Sequence, residues 1–298
     1  MPSFKQRVKW RLEAIAYDII SGVMRLFPIA VISAFGGWLV RIIGPMTSKH
    51  KVARTGLRLA FPEKSDAEIK QLLKDQWDNT GRTFAEFPLS HRIKAFGKDD
   101  RVTVEGLEIF KANAPAITLS GHFANWEVMA TALTQSGLPV RITYRKINNP
   151  HIDARVIRQR ESYGTKFLVQ KAAQKSGREL LTTLKNGESI AILNDQKFNT
   201  GLSIPFFGHE AMTAQGAVRL AIITGRPLLP MVVVRDKAKF KVTFHPPIKL
   251  VITGDREADI RSGVIQITQF IEARIRENPA QWFWVHRRWP KALYKNAN

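Results

Sequence analysis

The residues best suited to chemistry in this 298-residue chain lie in one segment, AITLSGHFANWEVMATAL, residues 116–133. A short apolar stretch leads into His122, and Glu127 follows five positions later. On a regular helix, side chains five positions apart do not share a face. We therefore expect His122 to precede the first turn of a helix that carries Glu127, so that the two side chains can meet.

A histidine held by a carboxylate could act as a general base, because the carboxylate sets the tautomer of the ring and raises its basicity. The chain has no cysteine and no G-x-S-x-G motif, so the nucleophile of a hydrolase triad is missing. We expect a substrate hydroxyl, deprotonated by His122, to attack an acyl thioester directly. Backbone N–H groups at residues 121–123, together with Arg145, would stabilise the developing negative charge.

Two alternatives for His122 remain open from these residues. The side chain could be a structural histidine at a helix cap, because short motif matches are often accidental. A metal site built from His122 and Glu127 is less favoured, because no third ligand lies nearby in the sequence. No metal and no cofactor are therefore expected.

Basic side chains are concentrated after residue 140. The helix predicted over residues 150–163 carries Arg155 and Arg158 three positions apart, on one face. The guanidinium fork suits phosphate groups through paired, charge-assisted hydrogen bonds. We expect both arginines to contact a phosphorylated lipid or a phosphopantetheine carrier. The alternative for each is a solvated surface charge.

Two further groups are candidates for substrate contacts. Asp195 and Gln196 follow an apolar strand, at the carboxyl end where α/β sheets place ligand contacts. The alternative is an ordinary exit from strand to loop. The loop of Phe206, Phe207 and Gly208 could line an acyl channel or belong to the core, and buried aromatic residues more often form core.

The composition limits the class of protein and the class of partner. Apolar residues make up 44% of the chain, which excludes disorder of the whole. A formal net charge of +21 favours an acidic partner, such as nucleic acid, an anionic membrane or an acidic carrier. The segment QWFWVHRRW, residues 281–289, suits a membrane interface or base stacking. No nucleic-acid-binding motif is visible, so no nucleic acid partner is expected.

The N-terminal region raises a membrane question. Residues 26–40 are uncharged and lie between Arg25 and Arg41. That run of 15 residues is shorter than the roughly 20 that a spanning helix needs. A signal peptide, a buried core helix and a membrane-seated helix, interfacial or marginally spanning, all remain open. We expect residues 1–45 to form a helical, membrane-associated segment.

Residues 46–298 are expected to form one α/β domain with a helical subdomain. Residues 45–65 are expected to form a basic connector, followed by a helix that Ser65 and Glu68 cap. Alternating strand and helix patterns then predict a mixed central sheet flanked by helices. The predicted strands are 116–120, 140–144, 166–169, 189–194, 228–234 and 239–245. The predicted helices are 125–136, 150–163, 175–186, 213–225 and 257–277.

Five blocks, in order along the chain, resemble the late acyltransferases of lipid A biosynthesis. The blocks are SGHFANWE around His122, TYRKINNP with Arg145 and Asn148, ILNDQK with Asp195 and Gln196, residues 204–230, and QWFWVHRRW. Any one block would be a weak signal, but five in order are specific. The resemblance covers about residues 100–290.

The resemblance implies a fold and an activity. The fold would be that of the glycerolipid acyltransferases. The activity would be transfer of a fatty acyl chain from acyl carrier protein to a hydroxyl of a lipid A precursor, at the cytoplasmic face of the bacterial inner membrane. His122 would be the general base and Glu127 its partner, and Arg145 and Asn148 would contact the substrate.

Other functions remain open. The same mechanism could act on another lipid, such as a phospholipid, a glycolipid or an ornithine lipid, and the donor could be coenzyme A. Alternatively, the chain could be a basic protein that binds nucleic acid or membrane without catalysis. In that case His122 would be structural, and binding would weaken steeply with salt.

Overall fold

The structure, a computed structural model, describes residues 2–97, 100–169 and 173–296. At its centre is a seven-stranded sheet in the order β1-β9-β8-β2-β5-β3-β4. The strands are β1 (Val102–Glu105), β2 (Ile117–Ser120), β3 (Val140–Tyr144), β4 (Lys166–Val169), β5 (Ser189–Leu193), β8 (Leu228–Asp236) and β9 (Lys239–Phe244). A separate antiparallel hairpin is formed by β6 (Leu202–Phe206) and β7 (His209–Thr213).

Helices flank the sheet and form the N-terminal part of the chain. They are α1 (Phe4–Met24), α2 (Ile29–Ile43), α3 (Ser48–Ala60), α4 (Asp66–Glu86), α5 (Leu107–Asn113), α6 (Glu127–Thr134), α7 (Pro150–Glu161), α8 (Ala173–Lys185), α9 (Gly216–Thr224), α10 (Arg256–Glu277) and α11 (Lys291–Asn296). The predicted class, a mixed central sheet flanked by helices, is confirmed.

The mixed character of the sheet comes from one pair of strands. Strands β8 and β9 pair antiparallel, whereas β2 pairs parallel with both β5 and β8. All four residues of β2 are buried, as expected for a central strand covered on both faces. In the register of β2 and β5, Ser120 is opposite Leu193. The two chain segments that follow these strands therefore leave the sheet side by side.

The local predictions were confirmed where sequence signals were strong. Ser65 and Glu68 form the predicted capping box at the start of α4. The basic connector predicted at residues 45–65 was wrong, because helix α3 occupies most of it. The many Lys and Arg residues of α3 obscure its apolar face in the sequence pattern. In the structure, Ala53 and Leu57 on that face are completely buried. Strands β1, β6 and β7 were also not predicted.

Helix α2 packs so closely on α4 that glycine is required at the contact. A Cβ atom on Gly36 would lie 2.4 Å from the Cβ of Ala85, and one on Gly81 would lie 2.1 Å from the Gly36 carbonyl oxygen. Contacts this short exclude any side chain at either position. Ile32 and Ser33 on the same face of α2 are buried. This face joins the protein core, as the core-helix alternative expected.

The opposite face of α2 is apolar and exposed. Val31, Phe35, Trp38 and Ile42 are each about half exposed or more. The segment Ile29–Met46 is the one stretch in the described residues that is long and apolar enough to cross a membrane. Ile29 and Ile32 share a hydrophobic cluster with the central sheet. The division of the chain at residue 45 stays a prediction.

Candidate active site

His122 and Asp195 meet at the carboxyl edge of the sheet. His122 follows β2 and Asp195 follows β5, so the neighbouring parallel strands deliver both residues to one point. The Nδ1 atom of His122 lies 2.7 Å from Oδ1 of Asp195. Oδ2 of Asp195 accepts hydrogen bonds from the backbone N–H of His122 and from Nε1 of Trp282, each at 2.7 Å. Asp195 is thus a buried carboxylate with three donors.

The charge of Asp195 determines the state of the His122 ring. Burial raises the pKa of Asp195, but the His122 imidazole and its hydrogen bonds hold that pKa below its usual range. An ionised carboxylate only accepts hydrogen bonds, so Nδ1 of His122 carries the proton. Nε2 then has a free lone pair, and Nε2 of Gln196 lies 3.4 Å from it. This is the tautomer that a general base needs.

Glu127 does not contact the ring, and the predicted contact with His122 was wrong. Its carboxylate accepts a hydrogen bond from Nε of Arg160 at 2.8 Å, and it also binds a terminal nitrogen of that guanidinium. The Tyr163 hydroxyl donates to the same carboxylate at 3.1 Å. Glu127 starts α6, and its side chain lies against α7. A catalytic role for Glu127 stays a prediction.

The Glu127–Arg160 pair is enclosed by aromatic rings. The guanidinium carbon of Arg160 lies 5.3–5.6 Å from the ring centres of Phe87, Tyr144 and Phe167. Cations over aromatic faces are stabilised by the ring quadrupole. Burial lowers the pKa of Arg160, but Glu127 outweighs it and the net shift is upward. The Arg160 guanidinium therefore stays charged in this buried position, with the Glu127 carboxylate as its partner.

The loop that carries His122 is held from two sides. Ala124 has a left-handed backbone with φ +42°, which is strained for alanine. Its N–H donates to the Gln281 carbonyl at 2.7 Å, and its carbonyl accepts from the Thr83 hydroxyl at 2.8 Å. The N–H of Phe283 donates to the His122 carbonyl at 3.1 Å. Helix α4 and the C-terminal segment therefore hold the base in place.

A second buried carboxylate supports this loop. Glu86 accepts hydrogen bonds from Nδ2 of Asn125 at 2.8 Å, from the Ser33 hydroxyl at 2.6 Å and from two nitrogens of Arg235. Oδ1 of Asn125 in turn accepts from the N–H of Glu127 at 3.2 Å. One carboxylate thus connects α2, α4, β8 and the His122 loop.

The sequence analysis did not identify this supporting network. The available signals were single charged residues next to apolar runs, namely Glu86 in FAEFPL and Arg235 after LLPMVVV. A charge in such a position is rarely buried without a partner. The pairing itself joins residues 149 positions apart. No local pattern specifies contacts over such a distance.

The expected oxyanion donors are only partly available. The N–H of His122 donates to Asp195, and the N–H of Phe123 donates to the Gly121 carbonyl at 2.9 Å. These two backbone groups are therefore already paired, which counts against them as oxyanion donors, and the donor role of the Gly121 N–H and of Arg145 stays a prediction. Arg145 is exposed in the loop after β3, at the same sheet edge as His122. Its side chain is accessible to a substrate, and the predicted contact stays a prediction.

The other predicted site residues lie in three places: the loop after β3, the cleft between α1 and α7, and the β6–β7 hairpin. Asn148 is exposed beside Arg145, and the neighbouring Asn149 caps α7. Arg155 and Arg158 line a cleft against α1 and make no hydrogen bond or ion pair with the His122 loop. Contacts of these residues with a substrate stay predictions.

Phe206, Phe207 and Gly208 form the end of the β6–β7 hairpin. Both phenylalanines are buried, and the ring of Phe206 lies 5.8 Å from that of Trp282. Gly208 has φ +75° in the turn, a conformation that favours glycine. The two rings form core, as the structural alternative expected. A role in lining an acyl channel stays a prediction.

Comparison with known proteins identifies the family. Residues 1–291 match the model of the bacterial lipid A biosynthesis acyltransferases. The chain belongs to this family. It is 26% identical over 255 residues to the lipid A biosynthesis palmitoleoyltransferase of Escherichia coli, covering 80% of this chain and 78% of that protein.

Two other proteins show the range of similarity. A phosphatidylinositol mannoside acyltransferase of Mycolicibacterium smegmatis is 24% identical over 185 residues, covering 60% of this chain and 58% of that protein. The solved structure of a 1-acyl-sn-glycerophosphate acyltransferase from Thermotoga maritima aligns with a TM-score of 0.37 and 14% identity. That alignment covers 86% of this chain and 96% of the other.

The pairing of His122 with Asp195 predicts how a substitution affects acyl transfer. Asp195→Asn should lower the rate at least about 100-fold, because an amide cannot accept all three hydrogen bonds and the ring loses its tautomer. The rate constant of a single turnover measures this. Glu127→Gln is the matched control.

Glu127→Gln should act mainly on folding, because it leaves the Arg160 charge buried without its partner, at a cost of roughly 3–5 kcal/mol. We expect a lower melting temperature, with transfer by the folded fraction reduced less than in Asp195→Asn. Near wild-type transfer by Asp195→Asn, with a folded but inactive Glu127→Gln, would contradict the assignment.

Proposed function

We propose that this acyltransferase moves a fatty acyl chain from an acyl carrier protein thioester to a hydroxyl of a lipid A precursor, with His122 as general base. One observation supports the chemistry above all others. His122 is oriented by the buried Asp195 carboxylate and presents its unprotonated Nε2, while its ring remains 17% exposed. Such a base can activate an incoming hydroxyl.

The proposed reaction is a direct transfer. The acceptor hydroxyl displaces the Gln196 amide from Nε2 of His122 and gives up its proton there as its oxygen bonds to the thioester carbonyl carbon. Asp195 stabilises the resulting imidazolium. The carbon–sulfur bond then breaks, and the imidazolium returns the proton to the departing thiolate. The Gln196 amide, which lies against Nε2 of His122, and the exposed Arg145 guanidinium at the same sheet edge are candidate donors to the oxyanion.

The surroundings of His122 support a mechanism without an acyl-enzyme. The rings of Trp126 and Phe283 lie 5.0 Å and 6.2 Å from the imidazole, and neither is a nucleophile. The hydroxyl of Ser120 is buried and donates to a backbone carbonyl. With no cysteine in the chain, the acceptor hydroxyl is the nucleophile that His122 can activate.

The net charge of the chain supports the proposed donor, and the related proteins support the proposed acceptor. A net charge of +21 would steer an acidic carrier protein to the enzyme. The lipid A acceptor rests on the family and on the Escherichia coli relative. A second candidate acceptor is a phosphatidylinositol mannoside, because the Mycolicibacterium smegmatis relative is named for that activity.

Transfer should depend on His122 and on the proposed substrates. Wild-type enzyme in detergent should convert a tetra-acylated lipid A precursor to a more acylated product with radiolabelled acyl carrier protein. His122→Ala should lose about 10²–10⁴-fold in rate, the usual contribution of a positioned base. His209→Ala, on the β6–β7 hairpin, is the control and should retain activity.

Product from acyl coenzyme A, at a rate equal to that from the carrier protein, would overturn the proposed donor. Product from the mannoside glycolipid but not from the lipid A precursor would overturn the acceptor. Full activity of His122→Ala would discard the mechanism.

We also propose that the enzyme lies on the cytoplasmic face of the bacterial inner membrane, with α1 and α2 in the interface. Exposed apolar residues recur along one face of α1, including Leu12, Ile15, Ile19 and Val23. The exposed face of α2 is also apolar. Because α2 is held against α4 through its glycines, an in-plane arrangement fits better than a lone spanning helix.

The apolar surface extends towards the base. Phe84 of α4 is 55% exposed, and its ring lies 6.1 Å from that of Phe283. Phe283 flanks the ring of His122. A lipid acceptor could therefore reach the base along apolar side chains without crossing water.

Charges placed on the apolar face should weaken membrane binding. Ile19→Glu combined with Phe35→Glu should lower the bound fraction in co-sedimentation with anionic phospholipid vesicles by about tenfold or more, because both residues lose burial in the interface. Ile223→Glu is a matched control: Ile223 is also exposed, but α9 ends at the sheet edge opposite His122. Equal loss in both variants would contradict the proposed membrane face.

A further inference from the structure

A cleft lies between α1 and α7, and none of its lining residues belongs to the His122 loop. Its volume is about 680 Å³, and residues of α1, α7 and the turn at residues 87–92 line it. The proposed transfer reaction uses none of these residues. The cleft is therefore a candidate for a separate binding site.

The cleft has an unbalanced positive charge. Arg25, Arg155 and Arg158 surround one carboxylate, that of Asp18. Arg155 binds Asp18 through Nε at 2.6 Å and through a terminal nitrogen at 2.5 Å. The hydrogen bond from Arg155, and the charges of Arg155, Arg158 and Arg25, lower the pKa of Asp18. Three guanidinium groups against one carboxylate leave a net charge of about +2, the complement of a doubly charged anion.

Two of these arginines lack a carboxylate of their own. Among the residues that the structure describes, no carboxylate oxygen lies within 4.0 Å of the guanidinium of Arg25 or Arg158. Both side chains are exposed at the cleft. They can therefore turn onto a ligand without breaking an existing ion pair.

Hydroxyl groups in the cleft can add hydrogen bonds to a bound anion. Ser21 is 4% exposed, and its hydroxyl makes no hydrogen bond of normal geometry. Burial raises the pKa of the Tyr17 hydroxyl, and the Ser21 hydroxyl lies close enough to lower that pKa in part. Buried hydroxyl groups are rarely left unpaired, so the Ser21 hydroxyl indicates a missing acceptor. The Tyr17 hydroxyl makes one long contact, 3.4 Å, with the Gln159 side chain. An anion with several oxygens would satisfy both the guanidinium groups and the unpaired hydroxyl.

The position of α1 indicates where the anion comes from. Its exposed apolar face is opposite the face that carries Tyr17, Ser21 and Arg25. An interfacial helix buries its apolar face about 5–10 Å into the boundary between headgroups and acyl chains, and a helix is about 10 Å across. The cleft side of α1 would then lie at the level of lipid headgroups, where phosphate groups are concentrated.

We propose that the α1–α7 cleft binds a phosphate monoester carried by a membrane lipid. A monoester has close to two negative charges at neutral pH, whereas the phosphodiester of an ordinary phospholipid has one. In the catalytic cycle this group belongs to the acceptor. That role, and the placement of α1 in the membrane interface, rest on the proposed function. The cleft then fixes the position of the acceptor relative to His122.

Binding can be measured without any reaction. The probes are phosphatidylcholine vesicles containing phosphatidic acid, a monoester, or phosphatidylglycerol, a diester, and inorganic phosphate as a soluble competitor. Wild type should bind phosphatidic acid vesicles more tightly, and Arg25→Gln with Arg158→Gln should lose about tenfold or more of that binding. Competition by millimolar inorganic phosphate would show that free phosphate is also a ligand.

The matched control removes the same charge elsewhere. Arg256→Gln with Arg261→Gln, on exposed positions of α10, should leave the preference for phosphatidic acid intact. Arg158→Lys should bind at an intermediate level, because it keeps the charge but not the fork. Equal loss in both double variants, or equal binding of the two vesicle types by wild type, would overturn the proposal.

Kinetics test the link to the acceptor. In transfer to a phosphorylated acceptor, the Arg25→Gln/Arg158→Gln enzyme should show a KM for the acceptor raised about tenfold or more, with kcat nearly unchanged. An acceptor without the phosphate should show no difference between the enzymes. Selective vesicle binding with no change in KM would remove the acceptor role, and that result would leave the transfer chemistry of His122 untouched.

Discussion

Asp195 holds a negative charge in the interior of the protein, and the arrangement of the candidate site follows from compensating that charge. Burying a carboxylate is costly unless hydrogen-bond donors surround it. The three donors come from the His122 ring, the His122 backbone and Trp282, which belong to two distant parts of the chain. The same contacts that stabilise the charge therefore set the position of the loop and the tautomer of the base.

The second buried carboxylate, Glu86, extends this constraint to α2, whose outer face is the proposed membrane surface. It connects Ser33 of α2 to Asn125 of the His122 loop through two hydrogen bonds. The other face of α2 points to the exterior. Binding of that face to a lipid surface would therefore affect the position of the loop that holds the base. The proposed membrane face and the candidate active site are thus parts of one packed unit.

The sequence predicted most of the sheet but assigned the wrong partner to the base. Strands such as Val140–Tyr144 and helices such as α7 have strong local patterns, and their predicted bounds agree with the structure within one or two residues. Glu127 was chosen as the partner because it is close in sequence. Asp195 is 73 positions away, and its approach depends on β2 and β5 being neighbours, which the order of strands in the chain does not reveal.

Other misses have the same origin. Helix α3 is rich in basic residues, and its apolar face becomes evident only where Leu57 packs against the core. The backbone donors near His122 were expected to face a substrate, but the buried Asp195 carboxylate recruits one of them. In each case a contact between residues far apart in sequence determines the structure, against what the local sequence pattern predicts. The order of the motifs was enough to predict the family. The hydrogen bonds within the site could be found only from the folded structure.

The orientation of His122 by Asp195 can be tested by ¹⁵N NMR of the His122 ring in enzyme labelled at its seven histidines, with His122→Gln used for assignment. We expect a ring protonated at Nδ1 and unprotonated at Nε2 in the neutral state, and a changed proton position in Asp195→Asn but not in Glu127→Gln. A proton on Nε2 in the wild type, or a ring that responds to Glu127→Gln and not to Asp195→Asn, would contradict that orientation.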